Sequence, residues 1–115
     1  MSARRLHHAR AAAEKTDAIV VLKGDDTLVV DGREPEAPVA VNAISSPALA
    51  TAGTGDVLAG TIAALIARGL DPLEAACAGV LACSRAGLAA AEEVGSAESV
   101  IASDVIAALP RGLRP

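Results

Sequence analysis

The residues best suited to chemistry lie between Gly53 and Asp56, where two glycines flank Thr54 and a carboxylate follows. An apolar helical pattern starts at Val57, so this stretch leads into a helix. The first amides of a helix lack partners and carry partial positive charge, which makes Gly53, Thr54 and Gly55 a predicted anion hole. A bound phosphate would be repelled by a neighbouring carboxylate, so a carboxylate at this position needs a chemical role. Accepting a proton from the hydroxyl that attacks the phosphate is such a role. Asp56 is therefore a candidate general base, and capping or a helix-dipole interaction is the alternative.

A second candidate site is the turn that begins with Lys23 and Gly24. It follows the apolar run 18–22, which is typical of a strand buried on both faces. Ligands of open α/β sheets bind outside the carboxyl ends of strands. A lysine there can neutralise a phosphate, and a glycine lets a nucleotide come close. The alternative is a surface hairpin with an exposed lysine, because the composition of the turn alone explains that structure.

Composition narrows the class of protein. The chain has 115 residues, 52% of them hydrophobic, and a formal net charge of −4, which predicts one small globular domain. It contains no Phe, Tyr or Trp, so it lacks the aromatic surfaces on which single-stranded nucleic acids stack. Its net negative charge also does not favour the basic grooves of such proteins. It also has no run of about 18 strongly apolar residues, the length that a membrane span needs. We therefore expect neither a nucleic-acid nor a membrane partner.

The remaining reactive side chains indicate a cytoplasmic protein without a metal site. The first eight residues lack the apolar stretch of a signal peptide. Cys77 and Cys83 lie six residues apart on one predicted helix, about 9 Å apart along its axis and on different sides, so they cannot pair. Reduced thiols and a cytoplasmic location follow. His7 and His8 are adjacent and lack the spacing of metal ligands.

Hydrophobic patterning predicts an α/β fold. A helix-prone, alanine-rich segment precedes three short apolar runs, and three helical segments follow the glycine loop. This order favours a short mixed sheet with packed helices. Asp71 is the expected N-cap of the longest helix, which runs to about Val94, and Ser103 is the expected N-cap of the last. The predicted strands are 18–22, 27–30 and 39–42, and the predicted helices are 3–15, 57–68, 72–94 and 104–109, the last ended by Pro110.

Longer motifs resemble those of one enzyme family. Asn42 and the run 47–60, Pro-Ala-Leu-Ala-Thr-Ala-Gly-Thr-Gly-Asp-Val-Leu-Ala-Gly, resemble the signature of the ATP- or ADP-dependent NAD(P)H-hydrate dehydratases, in the ribokinase-like superfamily. Val21-Leu22-Lys23-Gly24 is similar to the strand and nucleotide turn of that family, and residues 101–106 with Leu109-Pro110 are similar to its C-terminal helix. The resemblance covers about residues 9–113. A histidine common in the family on the long helix is Cys83 here.

The resemblance implies a fold, a reaction and a set of site residues. The whole chain, residues 1–115, would be a partial domain, the C-terminal part of a ribokinase-like αβα sandwich. The nucleotide's terminal phosphoryl group would pass to the hydroxyl of hydrated NADH or NADPH, and phosphate would then leave. Asp56 would contact the substrate and take the hydroxyl proton. ADP or ATP, with Mg²⁺, would bind at Lys23, Gly24, Asp25, Asp26, Thr27 and Gly55, and Gly53, Thr54 and Gly55 would hold the phosphoryl charge.

Two other functions stay open on the sequence alone. A ribokinase-like kinase of a small molecule, such as a vitamin precursor, would use the same anion hole and base. A nucleotide-binding or interaction module without catalysis is the other, because Asp25 and Asp26 are acidic and the N-terminal half of the family's domain is missing from this chain. The resemblance also implies that the complete enzyme is a homo-oligomer. We expect the 115-residue chain by itself to be inactive and to associate through unpaired sheet edges.

Overall fold

The computed structural model describes residues 2–115. Apolar, largely β-branched residues form three short strands that pair in the order β1-β2-β3. Val29 of the middle strand is opposite Val21 on one side and Ala40 on the other. The strands are β1 (Ile19–Leu22), β2 (Thr27–Asp31) and β3 (Ala40–Asn42), and the helices are α1 (Ala3–Thr16), α2 (Thr54–Ala67), α3 (Pro72–Val94) and α4 (Ala102–Gly112), with short 3-10 turns at Pro47–Ala50 and Ala97–Ser99.

The predicted α/β class is confirmed, but the prediction of a mixed sheet is wrong for this chain. Both strand pairs are antiparallel. The physical reason is the length of the connections. A parallel pair needs a crossover of a dozen or more residues, whereas a short turn joins β1 to β2 and a short loop joins β2 to β3.

Alternate residues of β2 face different helices, which places the sheet between two helical layers. Leu28 and Val30 pack on Ala9 and Ala13 of α1. Val29 points to the other face and packs in a cluster with residues of α2 and α3. Burial on both faces had been predicted for residues 18–22, yet β1 is an edge strand of this sheet and its residues are only half-buried. The strand buried on both faces is β2.

Small residues let α3 run through the middle of the helical layers. Ten of its residues are buried, most of them Ala or Gly. Ile62 and Leu49 lie so close to Gly79 and Gly87 that a Cβ at either glycine would displace them. By length and composition alone α3 could also cross a membrane. Its most apolar stretch of 18 residues is, however, 56% buried inside the protein. Burial of this extent is typical of the core helix of a globular fold.

The helix termini agree with the sequence at α3 and differ at α4. Asp71 caps α3 by accepting a hydrogen bond from the Leu73 amide at 2.9 Å. The prediction that Ser103 caps α4 is wrong, because the helix starts at Ala102 and the Asp104 carboxylate accepts from the Ile101 amide. Pro110 lies inside α4 instead of ending it. It removes one donor, and the helix continues to Gly112, after which the Leu113 amide donates to the carbonyl of Leu109.

Candidate functional site

The N-terminus of α2 is built by the glycine loop. Gly53 is the N-cap and has a φ of 89°, a left-handed conformation that a residue with a Cβ rarely adopts. The helix starts at Thr54, three residues earlier than predicted, so Gly55 and Asp56 both lie in its first turn. The buried Thr54 hydroxyl is 2.7 Å from the carbonyl oxygen of Leu49 and 2.8 Å from that of Thr51. Thr54 therefore holds the loop, and its side chain is not available to a ligand.

Two of the three predicted anion-hole residues have amides without a protein acceptor. The Thr54 amide donates to the Thr51 carbonyl at 3.3 Å, and the Asp56 amide donates to the Gly53 carbonyl at 3.1 Å. Within residues 2–115, the amides of Gly53 and Gly55 have no hydrogen-bond acceptor. These are the orphan donors at which a helix N-terminus binds an anion.

Lys23 lies over this helix terminus. Its ammonium nitrogen is 3.4 Å from the position that a Cβ on Gly55 would occupy. The turn after β1 and the start of α2, far apart in the sequence, thus meet at one point. A cation and the positive end of a helix at the same place are an arrangement that favours an anion such as phosphate.

A cleft of about 420 Å³ opens at this point. Of the predicted site residues, Lys23, Gly24, Asp25, Thr27, Thr54 and Gly55 line it. Asp26 does not line the cleft, although its main-chain carbonyl accepts a hydrogen bond from Arg5 at the base of the turn. The cleft therefore brings together five of the six predicted nucleotide residues and two of the three predicted anion-hole residues, Thr54 and Gly55, whereas Gly53 lines a separate groove.

The inner wall of the cleft was missed by sequence reasoning. It comes mainly from α3 and from the segment after β3, for which no binding role was predicted from residue types alone. Ser84 is buried there and accepts a hydrogen bond from the Asn42 side-chain amide at 2.7 Å. The only signal was Asn42 itself, a polar residue at the end of an apolar run. The remaining wall residues are Ile44, Ser45, Ser46, Leu49, Ala50, Thr51, Leu58, Val80 and Cys83.

Neither cysteine is paired, as the sequence predicted. Cys83 is buried in the wall of the cleft, and this burial raises the pKa of its thiol. A hydrogen bond with Thr61, at 3.8 Å, and the charge of Lys23 lower that pKa by smaller amounts. The thiol is therefore held in its neutral form at neutral pH, where it acts as a small apolar group rather than as a nucleophile.

Asp56 lies apart from the cleft. It is exposed and lines a separate groove of about 690 Å³, together with Gly53 and residues of α2 and α4. The groove is mostly apolar, and Arg68 is the other charged residue in it. No side-chain hydrogen bond caps α2, so the Asp56 carboxylate does not act as a capping acceptor. Its position in the first turn still allows a favourable interaction with the helix dipole.

The donors for a metal ion are sparse. Among the described residues no group of three or more His, Cys, Asp or Glu side chains could hold an ion. Mg²⁺ in nucleotide sites is often bound through one or two carboxylates and the phosphates themselves. The cleft offers one carboxylate, Asp25, beside Lys23. This donor set is compatible with a Mg²⁺ that arrives with a nucleotide but not with an ion bound by the protein alone.

Comparison with known proteins identifies the family. The carbohydrate-kinase family model, described as NAD(P)H-hydrate dehydratase, matches residues 1–111. The chain is 42% identical over 110 residues to the bifunctional NAD(P)H-hydrate repair enzyme Nnr of Salinibacter ruber, covering 93% of this chain and 19% of that protein. It is 41% identical over 99 residues to the ADP-dependent (S)-NAD(P)H-hydrate dehydratase of Neisseria meningitidis serogroup B, covering 83% and 32%.

A third relative is the ADP-dependent (S)-NAD(P)H-hydrate dehydratase of Haloterrigena turkmenica, which is 36% identical over 105 residues, or 90% of this chain and 38% of that protein. The chain thus spans between a fifth and two fifths of the length of these relatives. Nearly all of it, including the glycine loop and the Lys23 turn, lies within the matched region. By this match, the chain belongs to the NAD(P)H-hydrate dehydratase family of the ribokinase-like superfamily.

Proposed function

We propose that this chain supplies the nucleotide site and the general base of an ADP-dependent NAD(P)H-hydrate dehydratase. The observation that carries the proposal is the approach of Lys23 to the N-terminus of α2, where its Nζ is 3.4 Å from the Cβ position of Gly55. The nearby amides of Gly53 and Gly55 have no protein acceptor among residues 2–115. Lys23 and Gly55 both line the cleft, and a cation beside an orphan helix amide there suits a nucleotide's phosphates.

Lys23 and the Gly55 amide would bind the terminal phosphate of ADP, with Asp25 beside an accompanying Mg²⁺. The nucleotide supplies the phosphoryl group that turns hydroxide, a poor leaving group, into phosphate, a good one. Asp56 would accept the proton of the hydroxyl on the hydrated nicotinamide as the oxygen attacks the phosphorus atom. The P–O bond to AMP breaks in that step. The C–O bond to the ring then breaks while the adjacent ring carbon loses a proton, which restores the ring double bond and releases reduced nicotinamide and inorganic phosphate.

The position of Asp56 supports this role. Its carboxylate is exposed, is not used as a helix cap, and lines the groove beside the helix terminus whose other side carries Lys23. A substrate in the groove and a nucleotide in the cleft would meet at the first turn of α2. The choice of ADP rests on the names of the Neisseria and Haloterrigena relatives.

Two measurements test the proposal. The first is calorimetric titration of the chain with ADP, which should show saturable binding. The second is a chimera in which residues of this chain replace the matching segment of the Neisseria dehydratase, assayed for ADP-dependent formation of NADH from hydrated NADH. Release of AMP and phosphate together with NADH supports dehydration. A stable phosphorylated product would support a small-molecule kinase instead, and binding without turnover in a folded chimera would support a non-catalytic module.

A further inference from the structure

The turn that carries Lys23 has no main-chain hydrogen bond of its own. The β1–β2 ladder closes the segment at the Leu22–Leu28 pair, but among the described residues no main-chain hydrogen bond joins two residues of the turn 23–26. A turn without such a bond has several accessible conformations. A lysine on it would then lose conformational entropy on binding a phosphate. Something outside the turn must hold it if Lys23 is to stay over Gly55.

Arg5 of α1 makes these contacts. Its Nη2 atom donates to the carbonyl oxygens of Asp26 at 2.9 Å, Lys23 at 3.2 Å and Leu22 at 3.4 Å. One guanidinium thus joins the end of β1 to both ends of the turn. These three contacts share the two N–H groups of one nitrogen, so one N–H is shared between two carbonyl oxygens.

Gly24 makes room for the guanidinium. A Cβ at Gly24 would lie 2.5 Å from Nη2 and 2.8 Å from Cζ of Arg5, so any larger residue would force the two apart. The Arg5 charge also faces three carbonyl oxygens whose partial negative charges would otherwise oppose an anion near Lys23. The arginine therefore acts on the turn both by geometry and by electrostatics.

We propose that Arg5 is a positioning residue for the nucleotide: it fixes the Lys23 turn so that the ammonium stays over the N-terminus of α2. The proposal rests on the proposed function, because it assigns Arg5 a role in the same nucleotide site. Arg5 itself does not line the cleft. It acts through Lys23, and this makes the proposal testable by the coupling between the two residues.

The experiment is a double-mutant cycle on ADP affinity, measured by calorimetry at constant ionic strength. Arg5→Ala should weaken ADP binding roughly tenfold, the usual size of a lost hydrogen bond to a charged group. Arg5→Lys should recover only part of that loss. Arg4→Ala is the matched control: it removes the same charge from the adjacent, exposed position, and it should leave the affinity within about twofold.

The cycle separates positioning from a general structural role. If Arg5 acts through Lys23, the variant with both Arg5→Ala and Lys23→Ala should bind ADP as weakly as Lys23→Ala alone. Fully additive losses would overturn the proposal, and so would equal losses in Arg4→Ala and Arg5→Ala. If a thermal melt shows that Arg5→Ala is unfolded, Arg5→Lys decides in the same cycle.

Failure of this inference is distinguishable from failure of the proposed function. If the unmodified chain shows no ADP binding, both are wrong. If ADP binds and Lys23→Ala abolishes binding while Arg5→Ala binds normally, the nucleotide site stands and the positioning role of Arg5 is wrong.

Discussion

The Lys23 cleft and the Asp56 groove are lined by different residues of the first turns of α2, and they are built differently. Thr54, Gly55 and Leu58 face the cleft, whereas Gly53, Asp56 and Val57 face the groove. The cleft draws its polar groups from several elements, and the Thr51, Thr54 and Ser84 side chains among them form hydrogen bonds within the protein. The groove is mostly apolar, and its carboxylate does not cap the helix.

Under the proposed function, the nucleotide binds on the cleft side of the α2 N-terminus and the proton is transferred on the groove side. A phosphate site needs groups fixed in advance, since its affinity depends on donors that do not have to reorganise. A general base has to reach a substrate hydroxyl, so a carboxylate engaged in helix capping would be less able to accept its proton. The comparison therefore predicts that changes in the cleft alter ADP affinity, while a change at Asp56 alters turnover alone.

The largest expected effect is on turnover. Asp56→Asn in the Neisseria chimera should lower the rate of NADH formation by about 10²- to 10⁴-fold, the usual contribution of general acid–base catalysis. ADP affinity should change little, because Asp56 lies outside the cleft. Glu74→Gln is the control, since Glu74 is an exposed acid in the first turn of α3. Near-normal turnover in Asp56→Asn would leave Asp56 as a dipole partner only.

The next effect is on affinity. Lys23→Ala should weaken ADP binding by about 10- to 100-fold, the range expected for a charge-assisted contact with phosphate. Calorimetry on the chain measures it directly. Lys15→Ala removes an equal charge from the exposed last turn of α1 and should have no comparable effect. Equal losses in the two variants would mean that net charge, and not the Lys23 contact, attracts the nucleotide.

A smaller effect comes from a comparison of two glycines with positive φ, one in the candidate site and one at the end of α3. Gly53→Ala and Gly95→Ala both place a Cβ at a φ near 89°, which costs about 1–2 kcal/mol of stability. Only at Gly53 does the Cβ also meet a neighbour, Ala102, at 3.2 Å. Both variants should melt earlier than the unmodified chain, but only Gly53→Ala should lose ADP affinity, because it displaces the loop that positions the Gly55 amide at the cleft. Unchanged affinity in Gly53→Ala would mean that the loop tolerates displacement.

The smallest effect concerns pH and lies outside both regions. Arg33 links Asp31 at the end of β2, with Nη2 to Oδ2 at 2.9 Å, to Asp71 at the start of α3, with Nη1 to Oδ1 at 3.1 Å. Its hydrogen bonds lower the pKa of Asp31 and of Asp71 below the ordinary value of 3.8, and burial opposes this only in part. Carboxylates with a lowered pKa in the folded state stabilise it above their unfolded pKa.

That stabilisation should begin to fall below about pH 4, where the carboxyl groups of the unfolded chain take up protons first, and it should be lost once the pH has passed through their lower pKa values in the folded state. Melting temperatures of the unmodified chain and of Arg33→Met should therefore differ at neutral pH and converge in acid. ADP affinity at neutral pH should be the same in both, because none of these residues lines the cleft. A difference in melting temperature that persists at the lowest pH would contradict the ionic origin.

Local sequence features predicted most of the elements and the glycine loop. Asp71 and Pro72 define the start of α3 because capping and the fixed φ of proline act over a few residues. Gly53 to Asp56 define a helix N-terminus for the same reason. The start of α2 at Thr54 and the inclusion of Pro110 in α4 were missed, since the exact ends of helices depend on contacts with the surrounding loops and helices.

Long-range contacts decided the rest of the candidate site. Nothing in the sequence around Arg5 indicates that it donates to carbonyls 17 to 21 residues away. The meeting of Lys23 with Gly55, the antiparallel pairing of β1 and β2, and the separation of Asp56 from the cleft likewise follow from how helices pack on the sheet. The sequence by itself determined which groups could bind a phosphate or accept a proton, because that is a property of residue type and local backbone. Only the tertiary structure decided which of them share a cleft, because packing brings together residues that no local interaction connects.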